Sequence, residues 1–266
     1  LLIAVDIGNS SISMGYFDSG KLTVQKVDAG VPLDADKYAS LVDDFMGRNN
    51  LEKGKISCII SSVVPGLTGT VKQGLARLSG GEVSDIMTVD HRLRSCLELD
   101  VYAPEEIGAD RIANAVAACR LYPTPVAVVD FGTATTITVV DAELRYIGGS
   151  IMPGLGLMNE TLEAGTARLK KAGLQGPLRA LGVSTEGCIR TGLFFGTAGG
   201  VERILGEIER ETGCGLTLII TGGYGPAMER FIKRPHHLNP NLTFEGLKML
   251  HEINSRQSQE GRLPDE

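Results

Sequence analysis

Four things are missing from this 266-residue chain, and each absence removes a class of function. No run of Lys and Arg stands out, and with a net charge of −6 the chain offers no basic surface for nucleic acid or an anionic membrane. No CxxC pair occurs. Cys58, Cys96, Cys119, Cys188 and Cys214 are odd in number and widely spread, which fits reduced thiols in the cytoplasm rather than a zinc site or a disulfide framework. No apolar stretch approaches the length of a membrane span, and the apolar N-terminal run has no basic segment and is broken at once by Asp6, so it does not read as a signal peptide. His91, His236, His237 and His251 show no ligand-like spacing and read as surface or turn residues. What is present, 42% hydrophobic and 22% charged residues, suffices for an ordered core in one large or two ordinary domains.

Two stretches share one pattern. Leu1 to Val5 and Val126 to Val129 are short apolar runs, and each is followed by an aspartate, a glycine and small polar residues: Asp6-Ile7-Gly8-Asn9-Ser10 and Asp130-Phe131-Gly132-Thr133-Ala134-Thr135-Thr136. A buried strand ending in Asp delivers a carboxylate to the sheet edge, and Gly lets backbone N–H groups approach a ligand. Hydroxyls beside them suit phosphate oxygens. Two such loops across a cleft would hold a nucleoside triphosphate and its metal. The alternative for each aspartate is a carboxylate that only caps its own turn.

The surrounding chain reads as alternating strands and helices, an α/β pattern. Ser10 to Phe17 and Leu22 to Asp28 are strands of a hairpin turned at Asp18-Ser19-Gly20-Lys21. Asp34 to Arg48 has helical apolar spacing, Ile56 to Ser62 is a short buried strand, and Leu67 to Leu78 is a second helix ending at Ser79-Gly80-Gly81. Gly108 precedes an alanine-rich helix, Ile112 to Leu121, with Asp110 and Arg111 in its first turn, where a carboxylate is favoured by the helix dipole. A plain structural cap is the competing reading of that pair.

Tyr122-Pro123-Thr124-Pro125 breaks this helix and marks a domain boundary, giving domains 1–121 and 122–266, because the strand, loop, strand pattern restarts there. Val126 to Asp130, Thr135 to Val140 and Leu144 to Ser150 are the expected strands, followed by a helix from about Leu155 to Leu169. A Gly- and Pro-rich loop then delivers Ser184 and Thr185 to a long helix reaching Thr212. Gly192, Gly196 and Gly200 share one face of it, which predicts close approach by another backbone in a domain or dimer interface, or else a local distortion. Leu216 to Ile220 is a strand ending in Thr221-Gly222-Gly223, where a flat base could lie against the backbone, and Pro226 is placed to start the next helix. Leu242 to Arg256, capped by Thr243, is the last helix, and Gln257 to Glu266 a polar frayed tail.

Two phosphate-type loops followed by a diglycine resemble the acetate and sugar kinase, Hsp70 and actin superfamily. Within it the chain resembles type III pantothenate kinases, through the two loops, Ser61-Ser62-Val63-Val64-Pro65, Ile107-Gly108-Ala109-Asp110-Arg111, Gly149-Ser150-Ile151-Met152-Pro153-Gly154, Thr221-Gly222-Gly223 and Asn241-Leu242-Thr243-Phe244-Glu245-Gly246-Leu247. The resemblance implies two ribonuclease-H-like domains, each a mixed five-stranded sheet with flanking helices, an active site in the cleft between them, and a homodimer. It implies ATP, Mg²⁺ and a monovalent cation, K⁺ or NH₄⁺, as cofactors and pantothenate as acceptor, in the first step of coenzyme A biosynthesis.

Carried onto this chain, the resemblance gives Asp6, Ile7, Gly8, Asn9, Ser10, Ser11, Ile12, Ser13, Thr133, Gly222 and Gly223 to ATP. It gives Asp130 to the monovalent cation and Asp6 to Mg²⁺ through water. Tyr102, Gly108, Ala109, Asp110, Arg111 and Thr185 go to pantothenate, with Asp110 as general base and Thr185 working at the dimer interface. The family's Tyr-x-x-Pro is one residue shorter here, Tyr102-Ala103-Pro104, so either Tyr102 reaches the acceptor through a rearranged turn or Val101 takes its place. The remaining alternatives are another kinase or a polyphosphate-cleaving phosphatase on the same scaffold, or a non-catalytic nucleotide-binding regulator.

Overall fold

The protein is described by a computed structural model covering residues 1–51, 54–79 and 81–260, the last five by backbone alone. It forms two compact units, Leu1–Ala117 with the segment from Leu242 onward, and Ala118–Asn241.

The first unit holds β1 (Leu2–Ile7), β2 (Ser11–Asp18), β3 (Lys21–Asp28), α1 (Ala35–Arg48), β4 (Lys55–Ser62), α2 (Pro65–Leu75), β5 (Glu82–Thr88), the two-residue β6 (Glu98–Leu99) and the start of α3 (Ala109–Leu121). Its sheet runs in the order β3-β2-β1-β4-β5, with β1, β2 and β3 antiparallel and β4 and β5 parallel to β1. The apolar runs of β1 and β4 are continuous because both faces are covered. Ile3, Val5 and Ile7 with Ile56, Cys58 and Ile60 pack toward α1 and α2, whereas Ala4 and Ile59 face Ile112, Ala113 and Val116 of α3. Asp34 caps α1, its Oδ1 accepting from Lys37 N–H at 2.9 Å, and Tyr38, Ala39, Val42 and Met46 form the buried stripe of that helix. Ser19 and Gly20, both with positive φ, make the two-residue turn between β2 and β3.

The second unit holds β7 (Val126–Phe131), β8 (Ala134–Val140), β9 (Arg145–Pro153), α4 (Leu155–Ala164), α5 (Thr185–Thr212), β10 (Thr217–Thr221), α6 (Gly225–Met228) and β11 (His237–Leu238). These strands run in the order β9-β8-β7-β10-β11 with the same directions as in the first unit. Ala127, Val129 and Phe131 pack with Ile137 and Val139 against Leu193, Phe194, Ala198, Val201 and Leu205 of α5. Ser184 caps α5 through Gly187 N–H, and Gly213 ends it in the left-handed conformation.

Several elements differ from the sequence reading. The last helix, α7 (Leu242–Glu260), belongs to the first unit and not to a domain 122–266, because Phe244, Leu247 and Leu250 pack on Ala4, Ile59 and Ile112. Thr243 lies inside the first turn of α7 instead of capping it, and its hydroxyl is bonded to Asn114. Helix α7 runs to Glu260, and the remainder of the expected polar tail, 261–266, lies outside the described residues, as does Gly80. Helix α4 stops at Ala164 rather than Leu169 because Gly165 caps it, and α3 begins three residues early, at Ala109. Strand β5 escaped the sequence reading because Glu82, Ser84 and Asp85 make its outer half polar and exposed. At Gly192 and Gly196 an added Cβ would meet no described atom within 4 Å, so the glycine face of α5 is not covered by a backbone of the described chain. Among the described residues no helix is long and apolar enough to cross a membrane.

Candidate active site

The two loops are built alike. Asp6 in β1 stands opposite Ser13 of β2 and Ser61 of β4; Asp130 in β7 stands opposite Thr136 of β8 and Thr221 of β10. Each carboxylate is therefore flanked in register by two hydroxyl residues. In the first unit one of these contacts is explicit, with Ser61 Oγ donating to Asp6 Oδ1 at 3.0 Å and Ser61 fully buried. The sequence reading quoted Ser61 but gave it no role. Its signal was a hydroxyl at the end of an otherwise apolar strand.

The first loop closes through Gly8 N–H donating to Ser11 O at 3.0 Å, leaving Asn9 and Ser10 exposed at its tip. Ile7 and Ile12 are wholly buried in the core, so only their backbones border the loop, while Ser11 and Ser13 are half-buried. The second loop is one residue shorter, closing through Gly132 N–H to Ala134 O at 3.1 Å, with Thr133 exposed between them. Two glycines permit this shape. Gly222 has φ +90°, and a Cβ there would collide with Asp130 Oδ1 and the Phe131 backbone; a Cβ at Gly154 would collide with the Gly132 and Thr133 carbonyls. Gly223 has open space where its side chain would be, so a planar group can lie on it.

In each unit the chain leaving β4 or β10, the parallel neighbour of the loop's strand, bonds back to the loop's strand. Val63 N–H donates to Ile7 O at 3.1 Å, and Tyr224 N–H to Phe131 O at 2.9 Å. Val63 also brings the Gly108 to Arg111 segment to the first loop, since its Cγ1 lies 3.5 Å from where a Cβ of Gly108 would stand. A Cβ at Gly108 would sit 2.5 Å from Asp110 Oδ1, so glycine makes room for that carboxylate. Asp110 Oδ1 accepts the Arg111 N–H at 2.8 Å in the first turn of α3. Burial raises the Asp110 carboxyl above the ordinary carboxylate range, and the Arg111 N–H bond and guanidinium charge only partly oppose it. A carboxylate with a raised pKa is a better proton acceptor than a surface aspartate.

Tyr102 is fully exposed on the turn before Pro104, and Val101 is half-buried. Thr185 is exposed as the first residue of α5. Thus Asp6 to Ser13, Ser61, Val63 and Gly108 to Arg111 are brought together in the first unit, while Asp130, Thr133, Gly222 and Gly223 gather in the second. Among the described residues no group of three or more His, Cys, Asp or Glu side chains forms a metal cage. A single carboxylate beside a phosphate loop suits Mg²⁺, which keeps most of its water and is held largely by nucleotide phosphates.

The profile of the type III pantothenate kinase family matches residues 2–207. The chain belongs to the type III pantothenate kinase family. Among relatives of this kinase, the type III pantothenate kinase of Brevibacillus brevis is 34% identical over 96% of this chain and 99% of its own length. That of Finegoldia magna is 32% identical over 96% of this chain and 98% of its own. Among solved structures, a candidate 2-dehydro-3-deoxygalactonokinase from Sinorhizobium meliloti superposes with a TM-score of 0.58 at 13% identity, covering 100% of this kinase and 99% of that chain. The likeness supports the fold alone, mixed α/β sheets with flanking helices.

Proposed function

We propose that this chain transfers the γ-phosphoryl group of ATP to the primary hydroxyl of pantothenate, giving 4′-phosphopantothenate and ADP, with Asp110 as the proton acceptor. The hydroxyl oxygen forms the new bond to the γ-phosphorus, the bond from that phosphorus to the β–γ bridging oxygen breaks, and the hydroxyl proton passes to Asp110. What carries this reading is the placement of the Asp110 carboxylate, half-buried beside Gly108 and joined to the first loop through Val63. A phosphate loop alone would serve any kinase; a half-buried carboxylate next to it serves an alcohol acceptor.

Because such transition states are loose, positioning and charge neutralisation supply most of the acceleration. The backbone of Gly8 to Ser13 and the Thr133 hydroxyl are assigned to the phosphates, and Gly222 and Gly223 to the adenine. Asp6, oriented by Ser61, would hold Mg²⁺ through water, and that ion supplies charge neutralisation at the β- and γ-phosphates. Asp130 is assigned to a monovalent cation, K⁺ or NH₄⁺. Arg111, Ala109, Tyr102 and Thr185 are assigned to pantothenate. A homodimer is supported by the uncovered Gly192 and Gly196 face and by exposed Phe195, Leu157 and Ile151 in the same unit. The acidic charge and reduced-thiol pattern favour the cytoplasm.

A coupled assay with ATP, Mg²⁺ and K⁺ tests the reading by comparing pantothenate, glucose, acetate and no acceptor. Pantothenate-dependent ADP release is expected. Release with glucose or acetate alone would favour another kinase of the fold, and no acceptor-dependent release a regulator.

A further inference from the structure

The motif Asn241-Leu242-Thr243-Phe244-Glu245-Gly246-Leu247 has no part in the reaction described above, yet it opens α7 against the two elements that carry the first unit's chemistry. Thr243 Oγ1 donates to Asn114 Oδ1 at 2.8 Å. Asn114 is buried and lies one helical turn after Asp110 on the same face of α3. Gly246 comes closer to α3 than any side chain permits, because a Cβ there would overlap the Ala113 carbonyl group. Phe244 fills the space over Gly15 of β2, where a Cβ would stand 2.7 Å from its ring. Strand β2 follows the first loop and pairs Ser13 with Asp6. The first turn of α7 therefore grips the Asp110 helix through Thr243 and Gly246, and the phosphate-loop hairpin through Phe244.

We propose that Thr243, Phe244 and Gly246 are positioning residues for phosphoryl transfer, fixing where the Asp110 carboxylate stands relative to the first phosphate loop. The inference rests on the reading of Asp110 as proton acceptor. Its physical basis is the close approach of α7 to α3. Apart from Ile112 and Val116, the buried apolar residues of α3 are the short Ala109, Ala113, Ala115, Ala117 and Ala118, so apolar interlocking is confined to two side chains and the remaining contact resists separation of the helix better than it resists sliding. A directional, partly buried hydrogen bond and a backbone-close contact set the axial position instead. Phosphoryl transfer is sensitive to such placement, and a shift of about 1 Å can cost about 100-fold.

Thr243→Val keeps the side-chain shape and removes the hydroxyl. A fall in kcat of about 10- to 100-fold is expected, with the KM for ATP changed by less than about threefold and kcat restored in Thr243→Ser. Unchanged kcat with a lowered Tm, or a loss that Thr243→Ser fails to restore, overturns the inference. Phe244→Leu gives a second test if Thr243→Val does not fold: it thins the contact over Gly15 and should likewise lower kcat selectively, and a normal kcat overturns the proposal. Asp110→Asn is assayed in parallel. If it is inactive while Thr243→Val and Phe244→Leu turn over normally, the positioning inference alone fails; if Asp110→Asn turns over normally, the base assignment fails and the inference with it.

Discussion

Asp110→Asn should damage catalysis and stabilise the protein at once. The carboxyl is half-buried, and burial is the main reason its pKa is raised. Between the ordinary carboxylate value, about 3.9, and the raised value, the folded protein binds more protons than the unfolded chain. Stability therefore falls as pH rises through that window and stays reduced at neutral pH. Asparagine removes the charge while keeping an oxygen to accept the Arg111 N–H now bonded at 2.8 Å. The variant should melt higher than the parent at pH 7, by about 2–4 °C for each kcal/mol recovered in a chain of this size, and the gain should vanish below the ordinary carboxylate range. Loss of the base should lower kcat by about 10²–10⁴-fold, equivalent to about 2.7–5.5 kcal/mol, with little change in ATP binding. Thermal melts across pH, steady-state kinetics and nucleotide titration read the three effects separately. If Asp110 merely favours the helix N-terminus, the same substitution should lower stability by about 0.3–1 kcal/mol and leave turnover near normal. A lowered Tm together with normal kcat would refute the reasoning. In the parent, kcat/KM should fall as pH drops through the raised pKa, placing the acid limb above the ordinary carboxylate range.

Three further substitutions probe the supports of the site. Gly108→Ala places a Cβ 2.5 Å from Asp110 Oδ1 and should lower kcat by about 10- to 100-fold with the KM for ATP retained, read by steady-state kinetics. Gly222→Ala forces a side chain onto φ +90° and into Asp130 Oδ1; chemical denaturation should show a loss of about 1–3 kcal/mol, and the KM for ATP should rise. Ser61→Ala removes the hydroxyl that orients Asp6, with a cost of about 1–3 kcal/mol where the partner stays buried, and the Mg²⁺ titration of activity should move to higher concentration.

Most of the strands and both loops were legible because their signals are local. An apolar run ending in Asp and Gly specifies a strand and its turn without reference to the rest of the chain, and Ser184 and Gly213 bracket α5 by cap chemistry alone. What was hidden depends on partners distant in sequence. Among the described residues strand β5 pairs with β4 alone, and it carries exposed polar residues, so its composition hides it. Helix α7 has an amphipathic pattern that predicts a helix but not its destination, and only Phe244, Leu247 and Leu250 seated on Ala4, Ile59 and Ile112 assign it to the first unit. The Ser61 contact to Asp6 spans 55 positions and needed the parallel pairing of β1 with β4 to appear. Tyr102 is fully exposed beside the short Ala103-Pro104 segment, a departure visible in the sequence that did not foretell the exposure.

The likeness of the two units locates the specificity of the site. Both have the same strand order, an aspartate flanked by hydroxyl residues in register, a loop closed by a glycine N–H, and a returning segment bonded to the loop's strand. On the proposed reading, features present in both halves serve to hold phosphate and cations, and they cannot distinguish one acceptor from another. The halves differ after the returning segment. Tyr224 leads into the four-residue α6, whereas in the first unit the chain continues from Val63 through α2 and β5 to Gly108, which stands against Val63, and to Asp110 two residues on. Helix α7, reached only after the whole second unit has been made, then locks α3 in place through Asn114 and Ala113. If Asp110 serves the acceptor as proposed, that chemistry lies in the unit built from both Leu1–Ala117 and the segment from Leu242, so a chain truncated before Leu242 should lose phosphoryl transfer to pantothenate while the Asp130 to Gly223 framework of the second unit remains whole.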